Sequence, residues 1–475
     1  MTDAEHFDFA ILGGGSAGYA AARTAVGLGL KTVVIDGAKE LGGLCILRGC
    51  MPSKTLIESA NRQLAVRHAG EFGLRVRSEM PDTVSIRDRK QRLIAEFADY
   101  RRGQLEDGRF TLLRGMGRFE DAKDKLLRIA VKMPDDSAQQ ITSDAALIAT
   151  GSTISVPSLP GLNECGFWTS DTILDAAEIP DSFIVLGGGA IALEMAHFLD
   201  GIERKVTVLQ RNTQLLTGTD PDVADVVRHA FEKRGITVKC GTTLQHIEKT
   251  ATGKRVVFLQ DGQTHTVEAS EILLALGRRP SLEHLGLNTV GIDHANGPIK
   301  VAPTQQTSHP SIFAAGDVCG PLEVVHLAIQ QGEIAAKNVA SLLRGEKAEL
   351  KMDYRCKLFG VFTQPEVASV GLSEAEARAQ GLDFAVASYP FNDHGKSIVL
   401  GEVDGFVKLI ADAKNGIILG GAVAGPHATE LIHEIAVAMH LGATVAVLAT
   451  APHYHPTLSE IWTYPAEDLA EIINK

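Results

Sequence analysis

Long apolar runs are missing from this chain. No stretch reaches the roughly 18 residues that a membrane-crossing helix requires, which excludes an integral membrane protein of the helical kind. Cysteine is scarce, six in 475 residues, and a disulfide-stapled secreted scaffold is excluded with it. Positive charge is outweighed: 46 Lys and Arg against 58 Asp and Glu leave a net −12. That balance argues against a nucleic-acid surface and favours solubility. The opening residues lack a basic region followed by an apolar core, so no signal or transit peptide is expected. A cytoplasmic enzyme, without membrane or nucleic-acid partner and without a resident metal, is the expectation. The length suits about three domains.

What is present begins with glycine. Residues 7–12 read as a buried strand, Gly13-Gly14-Gly15-Ser16-Ala17-Gly18 opens an Ala-rich helix to about Gly27, and a second strand over 31–35 ends at Asp36. This is the βαβ dinucleotide pattern. Gly13 makes the tight turn, Gly15 admits the pyrophosphate, Gly18 lets helix and strand pack, and Asp36 accepts from a ribose diol. The pattern returns: a strand over 182–186, then Gly187-Gly188-Gly189-Ala190-Ile191-Ala192, then a strand over 205–209. Gln210 stands 23 positions after Gly187, as Asp36 does after Gly13. Two such units imply two dinucleotides, and flavin plus nicotinamide is the economical pair. A neutral residue followed by a cation, Gln210-Arg211, suits a 2′-phosphate better than a free hydroxyl, so the nicotinamide cofactor leans to NADP over NAD.

Beside the first unit lies Gly42-Gly43-Leu44-Cys45-Ile46-Leu47-Arg48-Gly49-Cys50-Met51-Pro52-Ser53-Lys54. In a regular helix the two cysteines would stand roughly 8–9 Å apart at Cα, whereas a disulfide wants about 4.4–6.8 Å. Pairing therefore requires a distorted segment, for which Gly49 and Pro52 are suited. Spacing alone leaves open two buried thiols that never pair; the adjoining nucleotide pattern favours a redox-active disulfide. Cys165, Cys240, Cys319 and Cys356 are widely separated and read as structural.

Further along, residues 84–107 read as a charged helix, followed by a polar β-rich stretch to Asp144 and a strand over 145–149 ending in Thr150-Gly151. A strand over 311–315 ends in Gly316-Asp317, where open α/β sheets bind ligands. From about residue 350 the texture becomes an antiparallel sheet with helices. Ser373 and Glu376 form a capping box, Asn415-Gly416 marks a hairpin, and apolar helices follow at 427–440 and 443–450. His453-Tyr454-His455-Pro456-Thr457-Leu458-Ser459-Glu460 reads as a loop.

These motifs, in this order, resemble the pyridine nucleotide-disulfide oxidoreductases over essentially the whole chain, most of all the dihydrolipoamide dehydrogenases. The specific parts are Cys45-x4-Cys50-x-Pro-Ser-Lys54 and His455-Pro-Thr-x-x-Glu460. The resemblance implies an α/β fold: an FAD domain at 1–152 and 275–349, an NAD(P) domain at 153–274, and an α+β dimerisation domain at 350–475. It implies that Cys45 is the interchange thiol, Cys50 the thiol nearer FAD, and Lys54 with Glu194 a pair beside the flavin. Asp317 and His326 lie at the flavin, with Gly43, Thr150 and Gly151. Gly277 joins the NAD(P) contacts with Gly187, Gly189 and Ala192. His455, oriented by Glu460, reaches the partner subunit's cysteines in a homodimer. A dithiol of the dihydrolipoyl type, free or on a lipoyl-bearing protein, is the implied substrate.

The alternatives are an NADPH-dependent reductase of a glutathione-like disulfide, and a non-catalytic FAD-bound partner of a lipoyl protein. The cysteine-free ending speaks against a mercuric reductase, and the intact thiols against a transhydrogenase. Departures from the family pattern gather at the thiols, where Leu44, Leu47 and Arg48 replace Thr, Asn and Val. Arg48, and Arg23 on the first helix, are cations expected either to be solvated or to tune the thiols or substrate.

Overall fold

The computed structural model describes residues 4–77, 79–123, 126–294 and 297–473. The readings made on residues 1–3 and on the last two lie outside the described residues. Internal packing divides the chain into two units.

The first unit comprises Met1–Pro52, Asp88–Ser155 and Arg278–Met352. Its parallel core runs in the order Thr111–Leu113, Thr32–Ile35, Glu5–Leu12, Ala138–Ile148, and Ile312–Ala314 also pairs with the last of these. Phe9, Ala10, Ile11, Val33 and Val34 have no exposed surface, because helices and loops cover both faces of a parallel sheet. The strand expected at 145–149 is the second half of a longer one. Ala138–Ile148 alternates buried and half-exposed residues where it joins an antiparallel meander with Leu126–Lys132, then becomes continuously buried. The change of period along one strand hid its full length. Helix Ser16–Gly27 buries its alanines and meets helix Val325–Leu343 at Gly332, where a Cβ would come 2.3 Å from the Ala17 carbonyl oxygen. Arg23 spans this seam to Glu333 at 3.2 Å, an exposed ion pair worth about 0–1 kcal/mol.

The second unit comprises Ser53–Arg87, Val156–Gly277 and Asp353–Lys475. A parallel sheet runs Thr237–Lys239, Lys205–Leu209, Ser182–Leu186, Glu271–Leu274, Trp168–Thr169. The C-terminal portion forms an antiparallel sheet in the order Leu358–Val361, Glu366–Gly371, Ile418–Gly425, Phe406–Asp412, Phe384–Pro390. The capping box forms as expected, with both Ser373–Glu376 hydrogen bonds present. The hairpin at Asn415-Gly416 closes around a four-residue loop, Asp412 N donating to Ile417 O at 2.9 Å and Ala411 pairing with Ile418. The Asp412 carboxylate accepts from the Lys414 and Asn415 amides, which stabilises the wider loop. No helix among the described residues is long and apolar enough to cross a membrane.

Candidate active site

In the first unit the glycine pattern is a matter of contacts. Gly13 has φ +106°, and a side chain there would meet the Ala149 carbonyl oxygen at 2.3 Å. A Cβ on Gly15 would meet the Gly43 Cα at 4.0 Å, an ordinary contact, and no side chain caps the helix that follows. That helix end therefore offers its N–H groups to a phosphate. Asp36, 7% exposed, accepts from the Gly14 amide through Oδ2 and from the Ala38 amide through Oδ1, both at 2.8 Å. Gly43 packs on this turn: a Cβ there would come 2.8 Å from the Gly15 Cα. Asp317 accepts from the Ser152 hydroxyl at 2.7 Å, and Ser152 Oγ accepts from Arg278 Nε at 2.8 Å. Gln331 holds the Gly316–Gly320 turn, accepting from Gly316 N and donating to Gly320 O at 2.7 Å each. Thr150 donates to the Ser281 carbonyl at 2.7 Å, Gly151 has φ +69°, and His326 lies in the first turn of helix Val325–Leu343. The uncapped helix N–H groups and the side-chain-free turn at Gly15 fit the pyrophosphate end of FAD.

The distortion expected between the thiols is present. Leu44–Leu47 forms a single helical turn, Arg48 leaves it at φ −141°, and a new helix, Cys50–His68, begins at the second cysteine. Gly49 permits the break, since a Cβ on it would lie 3.1 Å from the Leu44 carbonyl oxygen and 3.2 Å from the Cys45 Cα. Pro52 sits in the first turn of the new helix, where a missing N–H costs nothing. Leu47 lies over Gly42, its side chain 3.2 Å from where a Cβ would be, a packing role for one of the departures from the family pattern. Arg101 went unnoticed in the sequence. Its guanidinium stacks 4.2 Å over the Tyr19 ring. Burial pulls its pKa down, opposed by its electrostatic interactions with Tyr19 and Cys45.

In the second unit Gly187 has φ +122°, and a Cβ on it would meet the Ala275 carbonyl oxygen at 2.3 Å. Gly189 faces open space, and Ala190–Gly201 is again a helix without a side-chain cap. Gln210 is buried with its amide spent on its own loop: Nε2 donates to Gln214 O at 3.2 Å and Oε1 accepts from Arg211 N at 3.0 Å. The exposed Arg211, with Gln214 and Thr217, lines an open cavity of about 760 Å³. Gly277 has φ +102° and leaves open space at its Cα.

Lys54 and Glu194, 140 residues apart, form a bidentate pair at 2.9 and 2.7 Å. Glu194 is 6% exposed at its side chain and also accepts from Phe362 N at 3.2 Å, while Lys54 lies 4.6 Å over the Phe362 ring. The pair is sequestered on the carboxylate side only, since the Lys54 side chain is 31% exposed. The same two helices are laced further along by Asn61 to His197 at 2.7 Å and by close packing of Ala60 on Gly201, where a Cβ would come 2.5 Å from the Ala60 methyl.

Near the C-terminus, Ile461 and Trp462 are fully buried, and Trp462 donates to the Leu431 carbonyl at 3.2 Å. This anchor fixes the adjoining Glu460, whose carboxylate holds His455 Nδ1 at 3.0 and 3.2 Å. The His455 side chain is 79% exposed although its orienting acid is 11% exposed. Its Nε2 is thus presented outward in a defined tautomer, as a base for another molecule requires.

The pairs expected from sequence, Lys54 with Glu194 and His455 with Glu460, are formed. Ser152, Arg278, Gln331 and Arg101 were not singled out by the sequence, because isolated polar residues without a spacing pattern carry no local signal.

The profile described as pyridine nucleotide-disulphide oxidoreductase matches residues 7–332, and that of the family's dimerisation domain matches residues 359–466. The chain is 34% identical to the dihydrolipoyl dehydrogenase of Chlamydia muridarum, covering 97% of this chain and 96% of that one. It is 33% identical to that of Geobacillus stearothermophilus, covering 96% and 95%. The crystal structure of LpdA from Mycobacterium tuberculosis is similar with a TM-score of 0.87 at 30% identity, over 98% of this chain and 99% of that one. The flavoprotein disulfide reductase RclA from Escherichia coli shares the fold, with a TM-score of 0.83 at 24% identity over 98% and 99%.

Proposed function

The chain belongs to the pyridine nucleotide-disulphide oxidoreductases and is an FAD-dependent dithiol–disulfide oxidoreductase that uses a nicotinamide dinucleotide; from that premise we propose that it oxidises a dihydrolipoyl group with NADP. The observation that carries the reading is the exposed imidazole of His455 held by the sequestered Glu460. A base so fixed, yet turned outward from its own subunit, suits a homodimer in which each His455 serves the partner's thiols. The chain carries the family's dimerisation domain, in keeping with that arrangement.

In this mechanism His455 takes the proton of one substrate thiol. The resulting thiolate attacks Cys45 Sγ, the Cys45–Cys50 bond breaks, and Cys50 leaves as a thiolate. The second substrate thiol, its proton passing to solvent, then displaces Cys45, which recovers the first proton from His455. The substrate departs as a disulfide and the enzyme holds the two electrons as a dithiol. FAD, when bound, supplies the two-electron passage from the dithiol to the nicotinamide. Asp36, Asp317 and the side-chain-free turn at Gly15 would hold it, and Lys54 with Glu194 would set the charge near its ring. Arg211 would meet the 2′-phosphate of NADP, since the Gln210 amide is committed to its own loop. We assign the FAD domain to 1–152 and 275–349, the NADP domain to 153–274 and the interface domain to 350–475. A lipoyl-bearing protein of the cytoplasm is the proposed partner.

Anaerobic reduction of the flavin-loaded protein by dihydrolipoamide is expected to give a long-wavelength thiolate–flavin band. His455→Gln should keep the flavin and lose about 10²–10⁴-fold in dihydrolipoamide turnover. A loss below tenfold would remove His455 from the reaction.

A further inference from the structure

Glu460 is shared. Its Oε1 lies 3.2 Å from His455 Nδ1 and 3.4 Å from the imidazole Nε2 of His394. His394 is fully buried, and its Nδ1 lies 2.9 Å from the hydroxyl of Ser397, also fully buried. One carboxylate thus stands between an exposed histidine and a sealed one. The other groups around His394 are Tyr464, edge-on at 6.3 Å, and Asp393, whose carboxylate accepts from Tyr389 at 2.9 Å.

Burial holds the pKa of His394 below the ordinary histidine value, and the nearby His455 adds to this, against the pull of Glu460. A neutral imidazole has one N–H to place. On Nδ1 it would leave a nitrogen lone pair facing the carboxylate. On Nε2 it faces Glu460 Oε1 at 3.4 Å, while Ser397 donates to Nδ1. Only the second arrangement sets a donor rather than a lone pair against the carboxylate.

We propose that His394 is a positioning residue for the dithiol reaction: a buried neutral donor, set by Ser397, that fixes the Glu460 carboxylate and tempers its pull on His455. A carboxylate that already accepts a hydrogen bond stabilises an imidazolium less strongly than one that does not. His394 therefore lowers the proton affinity of His455, so that the base can take a substrate proton and return it to Cys45 within one turnover. The inference rests on His455 being the base.

The test is the pH profile of kcat/KM for dihydrolipoamide in the flavin-loaded dimer. His394→Phe keeps the volume and removes the donor. Its acid limb, which reports the free base, is expected to move to higher pH by about 0.5–1 unit. His394→Gln, which restores a donor, should bring it back towards the wild-type position. Ser397→Ala releases Nδ1 and should move the limb in the same direction by a smaller amount. A limb unmoved in both His394→Phe and Ser397→Ala, with only a uniform loss of rate or of thermal stability, means a structural role and overturns the inference. If His394→Phe does not fold, Ser397→Ala decides alone: a shift supports the inference and no shift overturns it. Failure of the underlying reading looks different, because His455→Gln would then retain turnover.

Discussion

The two glycine-rich turns share a framework and part company at two positions. At the third small residue the first turn has Gly18, where an added Cβ would lie 1.8 Å from the Gly13 carbonyl oxygen. The second turn carries Ala192 there, its methyl 3.6 Å from where a Gly187 side chain would begin. At the end of the second strand the first turn has Asp36 and the second has Gln210, each packed across the middle glycine. A Cβ on Gly14 would meet Asp36 Oδ2 at 2.8 Å, and one on Gly188 would meet Gln210 Cδ at the same 2.8 Å. The steric role of the strand-end side chain is therefore common to both turns, and its charge is not. Asp36 is an anion at that place, whereas Gln210 is neutral, holds its own loop and is followed by the exposed Arg211.

The largest break in this symmetry is expected from exchanging the third small residue. Gly18→Ala drives a methyl into a carbonyl, at or above the ~1–3 kcal/mol typical of overpacking, and should leave the purified protein largely without flavin by visible absorbance. Ala192→Gly relieves no clash and should change the KM for the nicotinamide by no more than about twofold, against that cost of overpacking. Comparable flavin loss in both variants would mean that the turns do not differ as described.

A smaller effect separates the strand-end residues. Asp36→Asn keeps the shape and removes the charge, and should weaken FAD binding about tenfold or more, the worth of a hydrogen bond to a charged group. Arg211→Ala should raise the KM for NADP(H) about tenfold while leaving that for NAD(H) unchanged, as expected for loss of one phosphate contact. Equal effects on both nicotinamides would return Arg211 to an ordinary solvated side chain.

The smallest contrast is between cysteines outside the redox pair. Cys319, after Gly316-Asp317 in the first unit, has its pKa pushed up to about 12 by burial and by Asp317. Cys240 in the second unit is raised by burial but held back by Arg228. At pH 8 only about one Cys319 in 10⁴ is thiolate, and alkylation follows the thiolate. Mass spectrometry should find Cys240 modified well before Cys319.

Much of the site was legible because its signals are local. Gly13, Gly15 and Gly18 follow a strand and open a helix, and backbone sterics demand glycine at Gly13 and Gly18. The break between Cys45 and Cys50 followed from the geometric requirement of a disulfide and from Gly49. The continuous strand Ala138–Ile148 was harder, because half of it faces a meander and half a parallel sheet. Arg23 drew notice as an unexpected cation and turned out to pair with Glu333 across a helix seam. Arg101, which bears on Cys45, drew none.

By itself, then, the amino-acid order determined the two dinucleotide turns, the thiol pair, the His455–Glu460 loop and the reaction class. Each depends on residues close in the chain whose backbone limits or spacing carry the chemistry. Only the tertiary structure decided which polar groups meet at long range: Arg278 and Ser152 behind Asp317, Gln331 beneath Gly316, and His394 beside Glu460. A buried polar side chain takes whichever partner the packing of separate elements brings within about 3 Å, since leaving it unpaired costs more than most single contacts return. That choice is made by the fold, and no spacing in the sequence records it.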